Sequence, residues 1–159
     1  MTKSGFSKLD NPNHQGQTDT WFTPQYIIDA LGEFDFDPCP GPKPRPNKTA
    51  NFVCEGDGLM SEWKGRVWLN PPYGKSVGAW LNKLQDHGNG IALVFARTDT
   101  KWFQSLNPDL VFMIASRLKF IRQDGSKDTN AGHGSMLLAF GRKNVAAILN
   151  SDLDGRWFK

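Results

Sequence analysis

Cysteine is scarce in this 159-residue chain, which holds only Cys39 and Cys54. Two thiols are too few for a disulfide framework or a cysteine-rich zinc site, and they point to a reducing compartment, the cytoplasm. No metal centre is expected. There is no apolar run of roughly eighteen residues, so no membrane-spanning helix is expected, and no signal-peptide pattern opens the chain. An excess of one charge sign is also missing. Nineteen Lys and Arg against sixteen Asp and Glu leave a net +3, which permits an anionic partner without requiring one. Internal repeats are absent. What is abundant is aromatic: six Trp and eleven Phe. Most of these fill a core, and a minority are free to act as stacking platforms. Hydrophobic residues at 38% and charged residues at 22% fit an ordinary globular chain of this length with one core.

Residues 1–19 are polar and read as a flexible arm; a single domain is expected over 20–159. Thr23 before Pro24 reads as a hydroxyl N-cap and a first-turn proline. Tyr26, Ile27, Ala30 and Leu31 then fall at helical spacing, and Gly32 stops the helix. Trp21 either staples onto that helix or walls a pocket. Phe34 to Asp37 alternates apolar and acidic and predicts a strand with Asp37 at its carboxyl end. There the acid either accepts hydrogen bonds from a ligand or closes an Asx-type turn. Residues 41–50 form an irregular connection. Asn51 to Cys54 predicts a short strand, followed by Asp57 between two glycines that would let a ligand approach the backbone. Leu59, Met60 and Trp63 read as core.

The most telling stretch is Arg66 to Gly74. Val67, Trp68 and Leu69 make a short buried strand. Pro71 and Pro72 cannot donate to a ladder, so the strand stops there, and proline holds the residue before it extended. One amide, outward carbonyls and the face of Tyr73 converge, which suits a planar group carrying an N–H donor. Beyond it, Ser76 caps a helix to about His87, with Ala79, Trp80 and Leu84 on its apolar face and the Lys83 stem snorkelling. Ile91 to Ala96 is apolar on both faces, as in a central strand covered on both sides. A short helix follows over 101–106. Asp109 to Ala115 is a further strand, which continues through the alternating Ser116 to Arg122. A loop over 123–134 leads to a strand at Ser135 to Phe140 that pairs back as a hairpin. Arg142 to Leu149 is a helix, and Arg156 to Phe158 closes an edge. Strands alternating with helices predict an α/β three-layer sandwich with a mostly parallel twisted sheet and an antiparallel strand near the carboxyl terminus. Asp37, Asp57, Asn70 and Arg97 should then share one sheet edge.

Asn70-Pro71-Pro72-Tyr73 resembles the catalytic loop of methyltransferases that act on planar exocyclic nitrogens. An ordered set of further motifs resembles the small phage-type DNA N6-adenine methyltransferases, the Dam-like family. It comprises Trp21-Phe22-Thr23-Pro24, Phe36-Asp37-Pro38-Cys39, Asp57-Gly58-Leu59 with Trp63, Trp80, Arg97 to Phe103, Arg117 to Phe120 and Gly134-Ser135. The resemblance covers about residues 18–141. It implies a reduced Rossmann-like methyltransferase fold and S-adenosylmethionine as methyl donor. Trp21, Thr23, Pro24, Asp37, Pro38, Cys39 and Asp57 would lie on the donor side. Asn70 and the Pro71 carbonyl would hold the N6 amino group of adenine, with Pro72 and Tyr73 completing the catalytic loop. The base would be flipped out of DNA. With no separate recognition domain, DNA contacts fall to loops, through Lys75, Arg97, Lys101, Arg117, Lys119, Arg122 and the 123–134 segment. The glycine-rich turn of larger methyltransferases is missing: Pro38 to Pro42 stands in its place. Cytosine N4 and protein glutamine are alternative acceptors for an Asn-Pro-Pro-Tyr loop, and a non-catalytic DNA-binding module is a third possibility.

Overall fold

A computed structural model of the chain describes residues 21–127 and 131–159. The arm expected over residues 1–19 lies outside them, as do Thr20 and residues 128–130 of the 123–134 loop. The elements in chain order are α1 (Gln25–Leu31), β1 (Phe36–Asp37), β2 (Phe52–Val53), β3 (Val67–Leu69), α2 (Val77–His87), β4 (Gly90–Phe95), α3 (Lys101–Gln104), β5 (Leu110–Ile114), β6 (Ser135–Phe140), α4 (Arg142–Leu149) and β7 (Gly155–Phe158).

Among the described residues the seven strands form one sheet in the order β2-β1-β3-β4-β6-β5-β7. β2, β1, β3 and β4 are mutually parallel. β6 runs antiparallel between β4 and β5, and β7 runs antiparallel along the outer side of β5. Five strands therefore share one direction, and two rather than one oppose it. The β5–β6 pairing and the edge position of the last strand match the sequence expectation.

Strand alternation divides the core in two. Trp68, Ile91, Leu93 and Phe95 face Ile27, Ile28 and Leu31 of α1 and Ile148 of α4. Their sequence neighbours Val67, Leu69, Ala92 and Val94 face Trp80, Leu81 and Leu84 of α2, with Trp102 and Phe103 of α3 packed alongside. All six residues of β4 are buried. A central strand flanked by helical residues on both sides has no polar face to give, which is why its sequence is uninterrupted in apolar character. Each such Leu or Ile contributes about 1.5–3 kcal/mol on burial.

The carboxyl ends of β1, β3 and β4 meet at one edge, because these strands are parallel neighbours. That edge carries Asp37, Asn70 and Arg97, with Asp57 just beyond β2, as the topology argument required. The opposite end is fastened by Arg66. Its guanidinium donates to the carbonyls of Leu31 (2.7 Å) and Glu33 (2.9 Å) and to Asn144 Oδ1 (2.6 Å), and it lies 4.1 Å over the Phe34 ring. Arg66 thus closes the carboxyl end of α1 around Gly32, whose φ of 86° lies in the region glycine favours.

Several local expectations are corrected. Pro24, not Thr23, holds the N-cap position of α1, and no side chain caps it; the Thr23 hydroxyl is turned toward Asn70 instead. Ser76 precedes α2 but makes no side-chain cap. Tyr26 is exposed on α1, where Ile28 takes the inward place, and Met60 is 82% exposed rather than core. The strand expected to run on through Arg122 ends at Ile114. Ser116 adopts a φ of 64°, which turns the chain out of the sheet. The alternation persists because Leu118 and Phe120 still plug the core while Arg117 and Lys119 face outward.

Candidate active site

The site is built around the turn that ends β3. Asn70 follows the buried Leu69, Pro71 is buried and Pro72 is exposed. The Asn70 amide nitrogen donates to the Trp21 carbonyl at 3.2 Å and lies 3.4 Å from the Thr23 hydroxyl. A carbonyl oxygen can only accept, so the nitrogen must face Trp21 and Oδ1 must face the other way. Oδ1 is buried and has no hydrogen-bond partner among the described residues. A buried acceptor left unmatched costs about 1–3 kcal/mol, and such a group needs a reason.

The segment that anchors Asn70 is itself strand-like. Phe22 exchanges both backbone hydrogen bonds with Ile121, at 3.0 and 2.9 Å. In an extended chain successive carbonyls point to opposite sides, so the Trp21 and Thr23 carbonyls face away from Ile121. Asn70 takes the first. Asn47, from the irregular 41–50 connection, takes the second at 2.7 Å. Asn47 Oδ1 is likewise buried and without a partner among the described residues. Sequence reasoning missed Asn47. An asparagine inside a Pro- and Lys-rich loop carries no periodic signal, and only the fold brings it beside Thr23.

Asp37 is 2% exposed. The Cys39 backbone N–H donates to its Oδ1 at 2.8 Å, and the Thr49 hydroxyl donates to Oδ2. Both oxygens are therefore engaged by the 38–49 loop, in the Asx-turn arrangement. Burial pushes the carboxyl up to about 6, partly opposed by those two hydrogen bonds and by the charge of Arg45. Burial, with the Asp37 and Cys54 charges, pushes the Cys39 thiol up to about 12, so it stays protonated at neutral pH and is no nucleophile. Asp57 is exposed and closes its own turn, accepting from the Leu59 N–H at 3.0 Å. Gly58 beside it is buried against the Pro38 carbonyl and the Trp80 ring. This close approach is what locks the Asp57 turn to the Asp37 loop.

Aromatic rings line the next sector of the edge. Tyr73 stacks on Phe95 with ring centroids 4.2 Å apart and planes 21° from parallel. Phe95 meets Phe120 edge-on at 6.2 Å, and Phe120 meets Trp21 at 6.1 Å. Burial raises the Tyr73 phenol well above its usual range, so it stays neutral. His133 lies 5.7 Å from Phe95. Burial, then the charges of Arg97 and Arg117, hold its pKa below the ordinary value. His133 thus lies beside the Phe95 ring within reach of the charges of Arg97 and Arg117. Arg117 also donates to the Ala131 and Gly132 carbonyls. The Gln123 amide donates to the Pro42 and Lys43 carbonyls, which ties the basic segment to the loop that carries Asn47.

Of the residues the sequence singled out, the structure draws Trp21, Thr23 and Asn70 into direct contact and sets Tyr73 against the same cluster. Pro24, Pro38 and Cys39 lie in the adjoining backbone. Lys75, Lys101, Lys119 and Arg117 are exposed around the edge, and Arg97 and Arg122 are half-buried. A cavity of about 360 Å³ lies elsewhere, on the flank of α1 between Gln25, Asp29, Glu33, Phe34, Lys48 and Thr49. None of the sequence-derived site residues lines it. Among the described residues no helix is long and apolar enough to cross a membrane.

A family model described as DNA N-6-adenine-methyltransferase (Dam) matches residues 11–153. No curated protein and no solved structure matches the chain.

Proposed function

Because the chain belongs to the DNA N-6-adenine-methyltransferase (Dam) family, we propose that it transfers a methyl group from S-adenosylmethionine to the N6 amino group of adenine in DNA. The observation that carries the site assignment is Asn70 Oδ1, a buried acceptor without a partner among the described residues, at the tip of a parallel strand. The amide is held by its nitrogen, so the direction of the oxygen is set before any substrate arrives.

Adenine N6 is a poor nucleophile because its lone pair is delocalised into the ring. Asn70 Oδ1 accepts one N6 hydrogen and the Pro71 carbonyl accepts the other. Two acceptors set off the amino plane favour a tetrahedral nitrogen and aim its lone pair outward. S-adenosylmethionine supplies an electrophilic methyl on a sulfonium. Positioning of the two reactants provides much of the acceleration. Asn70 is neutral and does not act as a base; the proton passes to water after transfer, and the donor would be left as S-adenosylhomocysteine. Phe95 backs one face of Tyr73, so the base is received on the opposite face, where stacking is worth about 1–3 kcal/mol. That offsets part of the cost of flipping the base out of the duplex. The cationic rim of Arg97 and Arg117, with Lys75, Lys101, Lys119 and Arg122 around it, contacts phosphates.

The residues present fit the donor. Asn47 offers an acceptor without a partner among the described residues, and the Trp21–Pro24 segment holds it beside Asn70. Asp37 has both carboxylate oxygens engaged, so its part is to hold the 38–49 loop over the end of β1. Asp57, exposed at the neighbouring turn, is the acid available to the donor's adenosine. In fold terms, helical residues on both sheet faces support a three-layer, reduced Rossmann-like arrangement. The protein works in the cytoplasm.

Incubation with methyl-labelled S-adenosylmethionine and unmethylated DNA tests the assignment. Label recovered in DNA supports an active enzyme. Donor binding with no label in DNA, under conditions where DNA is bound, identifies a non-catalytic module instead.

A further inference from the structure

We propose that Asn47 is a donor-binding residue whose Oδ1 accepts a hydrogen bond from the α-ammonium of S-adenosylmethionine. This rests on the donor assignment made above and extends it to a residue of the loop that replaces the usual glycine-rich turn.

Four observations converge on it. Asn47 and Asn70 are anchored through their amide nitrogens to the carbonyls of Thr23 and Trp21. These carbonyls are two residues apart on one side of an extended segment, so the anchors are separated by about 7 Å. Both side-chain oxygens are buried without partners among the described residues. Because Thr23 O can only accept, Asn47 must present Oδ1, an acceptor, away from it. The ligand group it matches is therefore an N–H or O–H donor, and not a carboxylate.

The donor's own geometry selects among its hydrogen-bond donors. Its sulfonium must face the amino nitrogen held by Asn70. The nearest N–H group on the molecule is the α-ammonium of the methionine chain, a few bonds from the sulfur and on the scale of the spacing between the two asparagines. The adenine and ribose lie on the other arm of the sulfonium, toward Asp57. Thr49, two residues after Asn47, donates to Asp37, and Gln123 holds the Pro42 and Lys43 carbonyls. The loop is thus pinned on both sides of Asn47, which keeps its oxygen in place.

The test is calorimetric binding of S-adenosylhomocysteine and of its α-desamino analogue to wild-type protein and to Asn47→Ala. Removing a buried hydrogen bond to a charged group should weaken S-adenosylhomocysteine binding on the order of ten- to a hundredfold. The desamino analogue should bind both proteins equally. Equal weakening of both compounds shows that Asn47 acts only by holding Thr23, and no weakening of either shows that it touches no ligand; each overturns the assignment. A wild-type protein that binds neither compound defeats the donor reading itself, and this assignment with it. If Asn47→Ala does not fold, the side-chain amide resonances of Asn47 in labelled wild-type protein give the answer. They should shift with S-adenosylhomocysteine and stay in place with the desamino analogue; the same response to both compounds would overturn the proposal.

Discussion

Replacing Asn70 by alanine should cut methyl transfer by about 10²–10³ at almost no cost in stability. The side chain makes two long contacts, at 3.2 and 3.4 Å, each at the weak end of the about 0.5–1.5 kcal/mol range for a net hydrogen bond. Against them stands the buried, unmatched Oδ1, a penalty of about 1–3 kcal/mol. Alanine removes the gain and the penalty together, so the variant should lie within about 1 kcal/mol of wild type, or above it. Thermal unfolding reads this directly, since 1 kcal/mol moves the Tm of a chain this size by roughly 2–4 °C. Donor affinity, measured by calorimetry, should be retained because Oδ1 faces the base. Single-turnover transfer should fall by about 10²–10³, the usual effect of losing one preorganised electrostatic contact. A Tm loss equivalent to more than about 2 kcal/mol would mean that Asn70 is a structural clamp. Parallel loss of donor binding and transfer would mean that the loop faces the donor rather than the base.

Other perturbations follow from the same geometry. Gly58→Ala drives a Cβ into the Pro38 carbonyl and the Trp80 ring, so unfolding experiments should show a loss on the order of 1–3 kcal/mol, whereas Gly56→Ala, with open space around it, should be mild. Asp37 has a folded pKa of about 6 against an ordinary 3.8. The folded chain therefore holds a proton that the unfolded chain releases between those values; stability should fall as pH rises through that window and level off above it, by an amount on the order of 3 kcal/mol. Asp37→Asn should flatten that stretch of the stability–pH curve, and an unchanged slope would show that another group titrates there. Lys119 is exposed, and Lys119→Ala should reduce the slope of log binding constant against log salt by about 0.9 if it neutralises one phosphate; an unaltered slope removes it from the DNA surface.

Much of this arrangement was legible in the residues. The buried strand before Asn70, the apolar run of β4 and the carboxyl-end placement of Asp37 and Asn70 all follow from apolar patterning and proline chemistry. Local rules failed where tertiary contacts compete with them. Thr23 has the chemistry of a helix cap, but its hydroxyl lies nearer to a residue 47 positions away. Ser116 to Arg122 alternates as a strand should, yet the left-handed Ser116 sends it to pair with Phe22 instead of extending β5. Asn47 and His133 carry no local signal, because their roles depend on loops brought together by the sheet. Arg66 carries no local signal either, and it is the fold that makes it the fastener of α1.

The most direct measurement is the identity of the methylated product. Unmethylated double-stranded DNA is incubated with wild-type protein and methyl-labelled S-adenosylmethionine, then digested to nucleosides and separated. Label should appear in N6-methyl-2′-deoxyadenosine. Label in N4-methyl-2′-deoxycytidine, or on a protein glutamine with none in DNA, would contradict adenine N6 as the group held by Asn70 and Pro71.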